Sequence, residues 1–145
     1  MILKEIKYNE LKEAIRVSFA SDNDIKKFYD SSVSINSLED IVEDIYKKIT
    51  EYNNYDGRLI IKGAYYGEEL IGYVVVFNNL LISFAMAVEY RKSKGTEFFE
   101  LIKSDLNSNF FCFLWSINIR ARKFLEKHGM KTIFSDNRII KLQCL

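Results

Sequence analysis

The chain has no proline, six glycines, two cysteines, one histidine and one tryptophan among its 145 residues. Two cysteines do not make a disulfide framework, and Cys112 sits inside an apolar run. Reduced thiols in a cytosolic protein are therefore the expectation. No histidine pattern accompanies Cys112, which argues against a thiol nucleophile. Charge of one sign is also missing. Twenty-one Lys and Arg stand against twenty Asp and Glu, for a net charge of +1. Nucleic acid is not the default partner of such a chain, since its binders usually carry a basic excess. No apolar run is long enough for a transmembrane helix, so no membrane partner is expected. The start, Met1-Ile2-Leu3-Lys4-Glu5-Ile6-Lys7, lacks the basic segment and long apolar core of a signal peptide, and a cytoplasmic location is expected. The missing proline, with plentiful Lys, Asn and Ile, reads as compositional bias and carries no function. Repeats, linkers and low-complexity segments are absent as well.

What is present suits one globular domain spanning 1–145: 48% of residues are hydrophobic and 28% charged. Leu3 and Ile6 predict a short first strand. Asn9 is placed to cap a helix with Leu11, Ala14, Ile15 and Phe19 on one face. Ser21-Asp22-Asn23-Asp24 breaks it. The stretch from Ile25 to Ile35 stays open between a helical turn and loop. Ser37 and Asp40 form a capping box ahead of Leu38, Ile41, Val42, Ile45, Tyr46 and Ile49, which share a helical face. From Arg58 the period changes. Leu59–Tyr65, Leu70–Phe77 and Leu80–Val88 predict a three-stranded meander with turns at Gly67-Glu68 and Asn78-Asn79. Its strands are almost continuously apolar, as expected when both faces are covered.

The segment from Val88 to Gly129 organises the rest. Strand residues break into Glu89-Tyr90-Arg91-Lys92-Ser93-Lys94-Gly95-Thr96, read here as a basic turn opening a helix at Thr96. Phe98, Phe99, Ile102 and Leu106 continue that helix. A strand at Phe110–Trp115 follows, then a helix from Asn118 that ends at His128-Gly129, with glycine in the C-terminal cap position. Lys131–Phe134 and Arg138–Leu142 predict a last hairpin. Strand, basic glycine-containing turn and helix make a natural anion site, because a helix N-terminus offers unpaired N–H groups and partial positive charge. A solvated basic turn is the plainer reading of such a run.

Two stretches carry a family resemblance. Ala64 to Val74, with Ile71-Gly72 opening a strand, resembles the second hairpin of the GCN5-related N-acetyltransferases. Asn118, Ala121, Phe124, Glu126, Lys127, Gly129 and Met130 match in spacing that family's late pattern N-x-x-A-x-x-hydrophobic-Y-E-K-x-G-F. As element order, the resemblance covers nearly the whole chain. It implies an α/β (α+β) domain with a mixed, mostly antiparallel sheet and helices on both faces. The implied activity is direct transfer of acetyl from acetyl-CoA to an amine of a small molecule or protein, by a monomer or homodimer.

The implied site follows residue by residue. Backbone near Ala85–Val88, including Met86, Ala87 and Val88, meets the pantetheine arm and the thioester carbonyl. Amides at Ser93–Thr96 meet the pyrophosphate, with charge from Arg91, Lys92 and Lys94. Asn118 contacts pantetheine or simply caps its helix; Ala121 and Phe124 complete the cofactor-binding set. For the catalytic base, Glu89 and Tyr90 are candidates by position, as are Asp22 and Asp24, and an ordered water is the remaining choice. No metal is implied.

The chain departs from the family twice. Only Gly95 stands in the pyrophosphate loop, either as its first glycine, with Glu97 as the second small residue, or as its second, with Ser93 as the first. Leu125 occupies the position where many members carry the tyrosine that protonates the leaving thiolate, a loss of roughly 10²–10⁴ if protonation limits the rate. The alternative is a non-catalytic protein of the same fold that binds CoA or a protein partner. A chance likeness in an unrelated α/β protein is the third reading.

Overall fold

The computed structural model describes residues 1–29, 34–106 and 109–144. Its strands are β1 (Ile2–Glu5), β2 (Leu59–Tyr66), β3 (Glu69–Phe77), β4 (Leu80–Met86), β5 (Phe111–Trp115), β6 (Lys131–Ser135) and β7 (Ile139–Gln143). Its helices are α1 (Tyr8–Phe19), α2 (Ile25–Phe28), α3 (Leu38–Thr50), α4 (Val88–Leu106) and α5 (Ile119–Lys127). The seven strands form one sheet in the order β1-β2-β3-β4-β5-β7-β6. Every neighbouring pair is antiparallel except β4–β5, which is parallel.

Two apolar layers cover the sheet, as its continuous hydrophobic strands require. On one face Leu11, Ala14 and Ile15 of α1 and Ile41, Val42, Ile45 and Ile49 of α3 pack on Ile61, Tyr73, Val75 and Ala85. On the other, Phe98, Phe99 and Ile102 of α4 and Leu125 of α5 pack on Val74, Val76, Leu81, Met86 and Leu114. Residues 73 to 76 of β3 thus alternate between the two cores, the period-2 signature of a strand. Local signals behave as read. Ser37 accepts from the Asp40 amide while Asp40 reaches back to the Ser37 amide, and Asn78 turns the β3–β4 hairpin at φ 55°. Helix α1 begins one residue before Asn9, with Lys7 in the cap position.

One expectation needs correcting. The basic turn before Thr96 does not exist: α4 starts at Val88, directly after β4. Glu89 to Lys94 are acceptable helix formers, Glu89 suits the first turn, and no proline or second glycine interrupts them. Gly95 lies inside the helix, where an added Cβ would stand 3.2 Å from the Phe124 ring. Its use is close packing of α4 on α5.

One irregularity in β4 opens the sheet. Val75 faces Ser83 but Val76 faces Leu81, so Ile82 is an extra residue in β4. Such a bulge bends a strand away from its neighbour. Accordingly β4 and β5 pair only at Leu80–Phe111 and Leu81–Cys112, and beyond Ile82 they diverge. Gly72 holds the other edge of β4. A Cβ there would collide with the Ala85 carbonyl oxygen and lie 3.0 Å from the Met86 Cα, both backbone. Gly72→Ala should therefore push β4 into the split and cost about 1–3 kcal/mol, read as a lower urea midpoint. An unchanged midpoint would show that β3 and β4 separate freely.

Candidate functional site

The divergence of β4 and β5 leaves a split between the strands. A cavity of about 260 Å³ lies there between α4–α5 and the α1–α2 segment. A second, of about 310 Å³, opens between α3 and β5. They meet at Phe28, Tyr29 and Ile45, at Ser83 and Phe84 of β4, and at Asn118 and Ala121 beside and on α5, all of which line both. The split therefore has two mouths.

Backbone geometry decides what β4 offers. The Ala87 amide donates to Ile71 C=O at 2.7 Å, toward β3. Alternation along a strand then turns the peptide groups of Phe84 and Met86 to the open edge. The Met86 carbonyl is taken by Arg91 Nε at 2.7 Å; the Phe84 and Met86 N–H groups face the split. Such an edge lacks a strand partner and suits an extended ligand with amide groups of its own. Across the gap, Asn118 caps α5 by accepting from the Ala121 amide at 3.3 Å. Ala121 and Phe124 follow on the same face at helical spacing.

Among the sequence-derived candidates, Met86, Arg91, Gly95, Asn118, Ala121 and Phe124 line the first cavity. Ala87, Val88, Lys92, Ser93, Lys94 and Thr96 line neither. The Ser93–Thr96 amides are inside α4 and bond the preceding turn, so they are not free for phosphate. Glu89 is exposed in the first turn of α4. Tyr90 donates to Glu69 at 2.8 Å, and that bond raises its phenol above the ordinary value. Neither Glu89 nor Tyr90 reaches the split. Leu125 is fully buried in the α4–α5 core, and its neighbour Phe124 faces the cavity instead. Thr96 pairs with His128 Nε2 at 3.1 Å, and His128 Nδ1 lies 2.8 Å from Phe124 C=O. The lone histidine thus ties α5 to α4.

Asp22 is the most constrained carboxylate. Its side chain is 2% exposed and carries two arginines. Arg120 donates at 3.0 and 2.7 Å, one bond to each oxygen. Arg91 donates at 3.0 Å and also reaches Ser18 C=O at 3.0 Å. Burial pushes the Asp22 carboxyl up, but the Arg120 hydrogen bonds and the Arg91 charge outweigh it and hold the group below 3.8. A carboxylate held so is a poor base, which removes Asp22 from that role. The expectation that Arg91 is a free phosphate cation also changes: it links α4 to the segment after α1.

Sequence reading missed the Tyr73–Ser83 pair on the sheet, whereas Tyr29 and Asp44 belong to the N-terminal half in which the resemblance implies the acceptor pocket. Tyr73 and Ser83 share a 2.9 Å hydrogen bond in the wall of the first cavity, and burial pushes the Tyr73 phenol up to about 12. Tyr29 donates to Asp44, which Lys48 meets at 3.0 Å. Burial and the Asp44 carboxylate raise the Tyr29 phenol. Only the alternation of Tyr73 and Ser83 within apolar strands hinted at that pair. Cys112 is buried and its thiol is pushed up to about 12 by burial, so it stays protonated. Among the described residues there is no metal-binding cluster and no helix long and apolar enough to cross a membrane.

An open mixed sheet whose central parallel pair splays over a cavity is the fold of the GCN5-related N-acetyltransferases. The chain is similar to an acetyltransferase from Thermus thermophilus, at TM-score 0.71 and 15% identity over 99% of this chain and 96% of that one. It is similar to the PaiA N-acetyltransferase of Thermoplasma acidophilum in complex with coenzyme A, at TM-score 0.63 and 19% identity over 98% and 96%. The spermidine N-acetyltransferase SpeG of Vibrio cholerae aligns at TM-score 0.59 and 11% identity over 100% and 95%. No family model and no curated protein matches the sequence.

Proposed function

We propose that the whole chain acts as one N-acetyltransferase domain, which takes an acetyl group from acetyl-CoA to an amine in the β4–β5 split. The carrying observation is the two-mouthed gap: β4 presents unpaired N–H groups at Phe84 and Met86, and α5 closes it with Asn118 and Ala121. This edge fits a pantetheine arm, and a similar fold is known in complex with coenzyme A. When bound, acetyl-CoA supplies the activated acyl carbon. The chain's part is to orient the arm along β4, to offer the Met86 N–H and the Tyr73–Ser83 hydroxyls as neutral donors, and to exclude bulk water with Phe84 and Phe124. Proton removal falls to water, because Asp22 is held by its arginines.

The pyrophosphate is gripped by side chains. Lys92 is exposed and Lys94 stands 5.0 Å from the Tyr66 ring centre, both on the first turns of α4. The double variant Lys92→Ala/Lys94→Ala should weaken CoA binding about tenfold for each lysine that bonds a phosphate oxygen directly, measured by calorimetry. Unchanged affinity would place the phosphates elsewhere. Thiol release with acetyl-CoA and an amine panel tests transfer itself.

A second reading, a non-catalytic binder of this fold, is favoured by two observations. The Ser93–Thr96 amides are internal to α4, and position 125 holds a core leucine. CoA binding without thiol release from any amine would select it.

A further inference from the structure

Among the described residues, the charged side chains that line the two cavities are Arg91, Arg120 and Lys48, all cations. The carboxylates behind them are committed. Asp22 serves Arg91 and Arg120; Asp44 serves the Tyr29 hydroxyl and Lys48. Five of the lining aromatic rings are committed too. Arg120 stands 4.5 Å from the centre of Phe28, Lys48 5.0 Å from that of Tyr29, and Arg91 5.9 Å from that of Phe19. At the second mouth Arg138 lies 5.4 Å from Trp115 and Lys141 5.3 Å from Phe113. A ring that already carries a protein cation is a poor host for another, because the two charges repel in a site of low dielectric. In the second cavity a polycationic amine would meet Lys48, a carboxylate already paired with it, and rings at Phe28, Tyr29, Phe113 and Trp115 that already carry a cation.

The lining between α3 and β5 is mainly apolar. Ile45, Ile49, Ile82 and Phe84 supply its surface, in a cavity of about 310 Å³. Apolar surface with a few polar groups at one end is the usual make-up of a small-molecule site. Its polar end lies at Tyr29, Ser83 and Asn118, where the two cavities meet.

We propose that the second cavity is the acceptor site and selects a monoamine with an apolar, ring-bearing body, such as an arylalkylamine, while polyamines and aminoglycosides are excluded. The proposal rests on reading the split as an acyl-transfer site and adds the substrate class. With Asp22 and Asp44 already paired, no described carboxylate beside the cavities is left to hold a bound amine as an ammonium ion. The nitrogen therefore reaches the split with its lone pair free, as a site with no carboxylate base among its described residues requires. In the transfer the nitrogen bonds to the thioester carbonyl carbon and the C–S bond breaks. Sulfur leaves as the thiol, and the proton lost by nitrogen passes to it through water.

Trp115 is the chain's one tryptophan and borders this cavity, so its emission reports occupancy without turnover. The full chain is titrated with phenethylamine and with spermidine, and thiol release with acetyl-CoA is recorded for both. Phenethylamine should change Trp115 emission saturably, at concentrations at least about tenfold below any effect of spermidine, the ratio expected for roughly one like-charge contact. Lys48→Glu should narrow that ratio by about tenfold or more. Spermidine saturating at equal or lower concentration, or phenethylamine leaving the emission unchanged, overturns the proposal. Phenethylamine binding without thiol release upholds the apolar site and instead overturns the transferase reading.

Discussion

Asp22→Ala should lower the unfolding free energy by about 3 kcal/mol at neutral pH, the low end for breaking a buried ion pair. The low end applies because Arg91 and Arg120 keep side-chain exposures of 30% and 35% and recover some hydration. The loss arises because Asp22 joins three elements: Arg91 from α4, Arg120 from α5 and the segment after α1. Without the carboxylate, the two guanidinium groups that share its Oδ2 are left close together with no anion between them. Asp22→Asn should lose nearly as much while keeping the shape, which separates charge from packing. The pH dependence has a definite direction. The folded carboxyl lies below its ordinary value of 3.8. Its contribution is therefore complete above that value and disappears as pH falls through the lower folded one. Urea unfolding of wild type and Asp22→Asn should converge at acid pH and separate at neutral pH. A gap that persists at the lowest pH would show that Asp22 acts by shape alone.

Leu125→Tyr should destabilise the protein by about 3 kcal/mol and give no gain in thiol release. Over-packing a closed core costs about 1–3 kcal/mol, and a phenol hydroxyl without a partner adds about 1–3. In a chain of this length that is a fall in Tm of roughly 10 °C. Leu125 is fully buried among Phe98, Phe99, Met130 and their neighbours, so a tyrosine there points into packed side chains. Calorimetric melting and a thiol assay on one preparation decide the matter. A stable variant with raised turnover would mean that α5 turns position 125 toward the split, and the placement of Phe124 as the cavity-lining residue would fall with it.

The sequence determined the fold to a large degree, through signals local in the chain. Period-2 and period-3.6 patterns located the strands and helices. Ser37 with Asp40, Asn78 and Gly129 marked their ends, since a cap or a positive φ depends on a few adjacent atoms. The spacing from Asn118 to Met130 marked α5 and pointed toward the side of the sheet where a cavity lies. Local signals also misled at one junction. Eight residues from Glu89 to Thr96 carry charge and one glycine, as a phosphate loop does, yet helix propensity with α5 packed on Gly95 makes them the start of α4. Only the tertiary structure decided the chemistry of the split. That Arg91 and Arg120 converge on Asp22, 69 and 98 residues away in sequence, cannot be read from spacing. Nor can the facing of Phe124 rather than Leu125 into the cavity, or the committing of Asp44 and five aromatic rings to protein cations. Charge compensation and side-chain facing are set by which elements pack together, and that is a property of the folded chain.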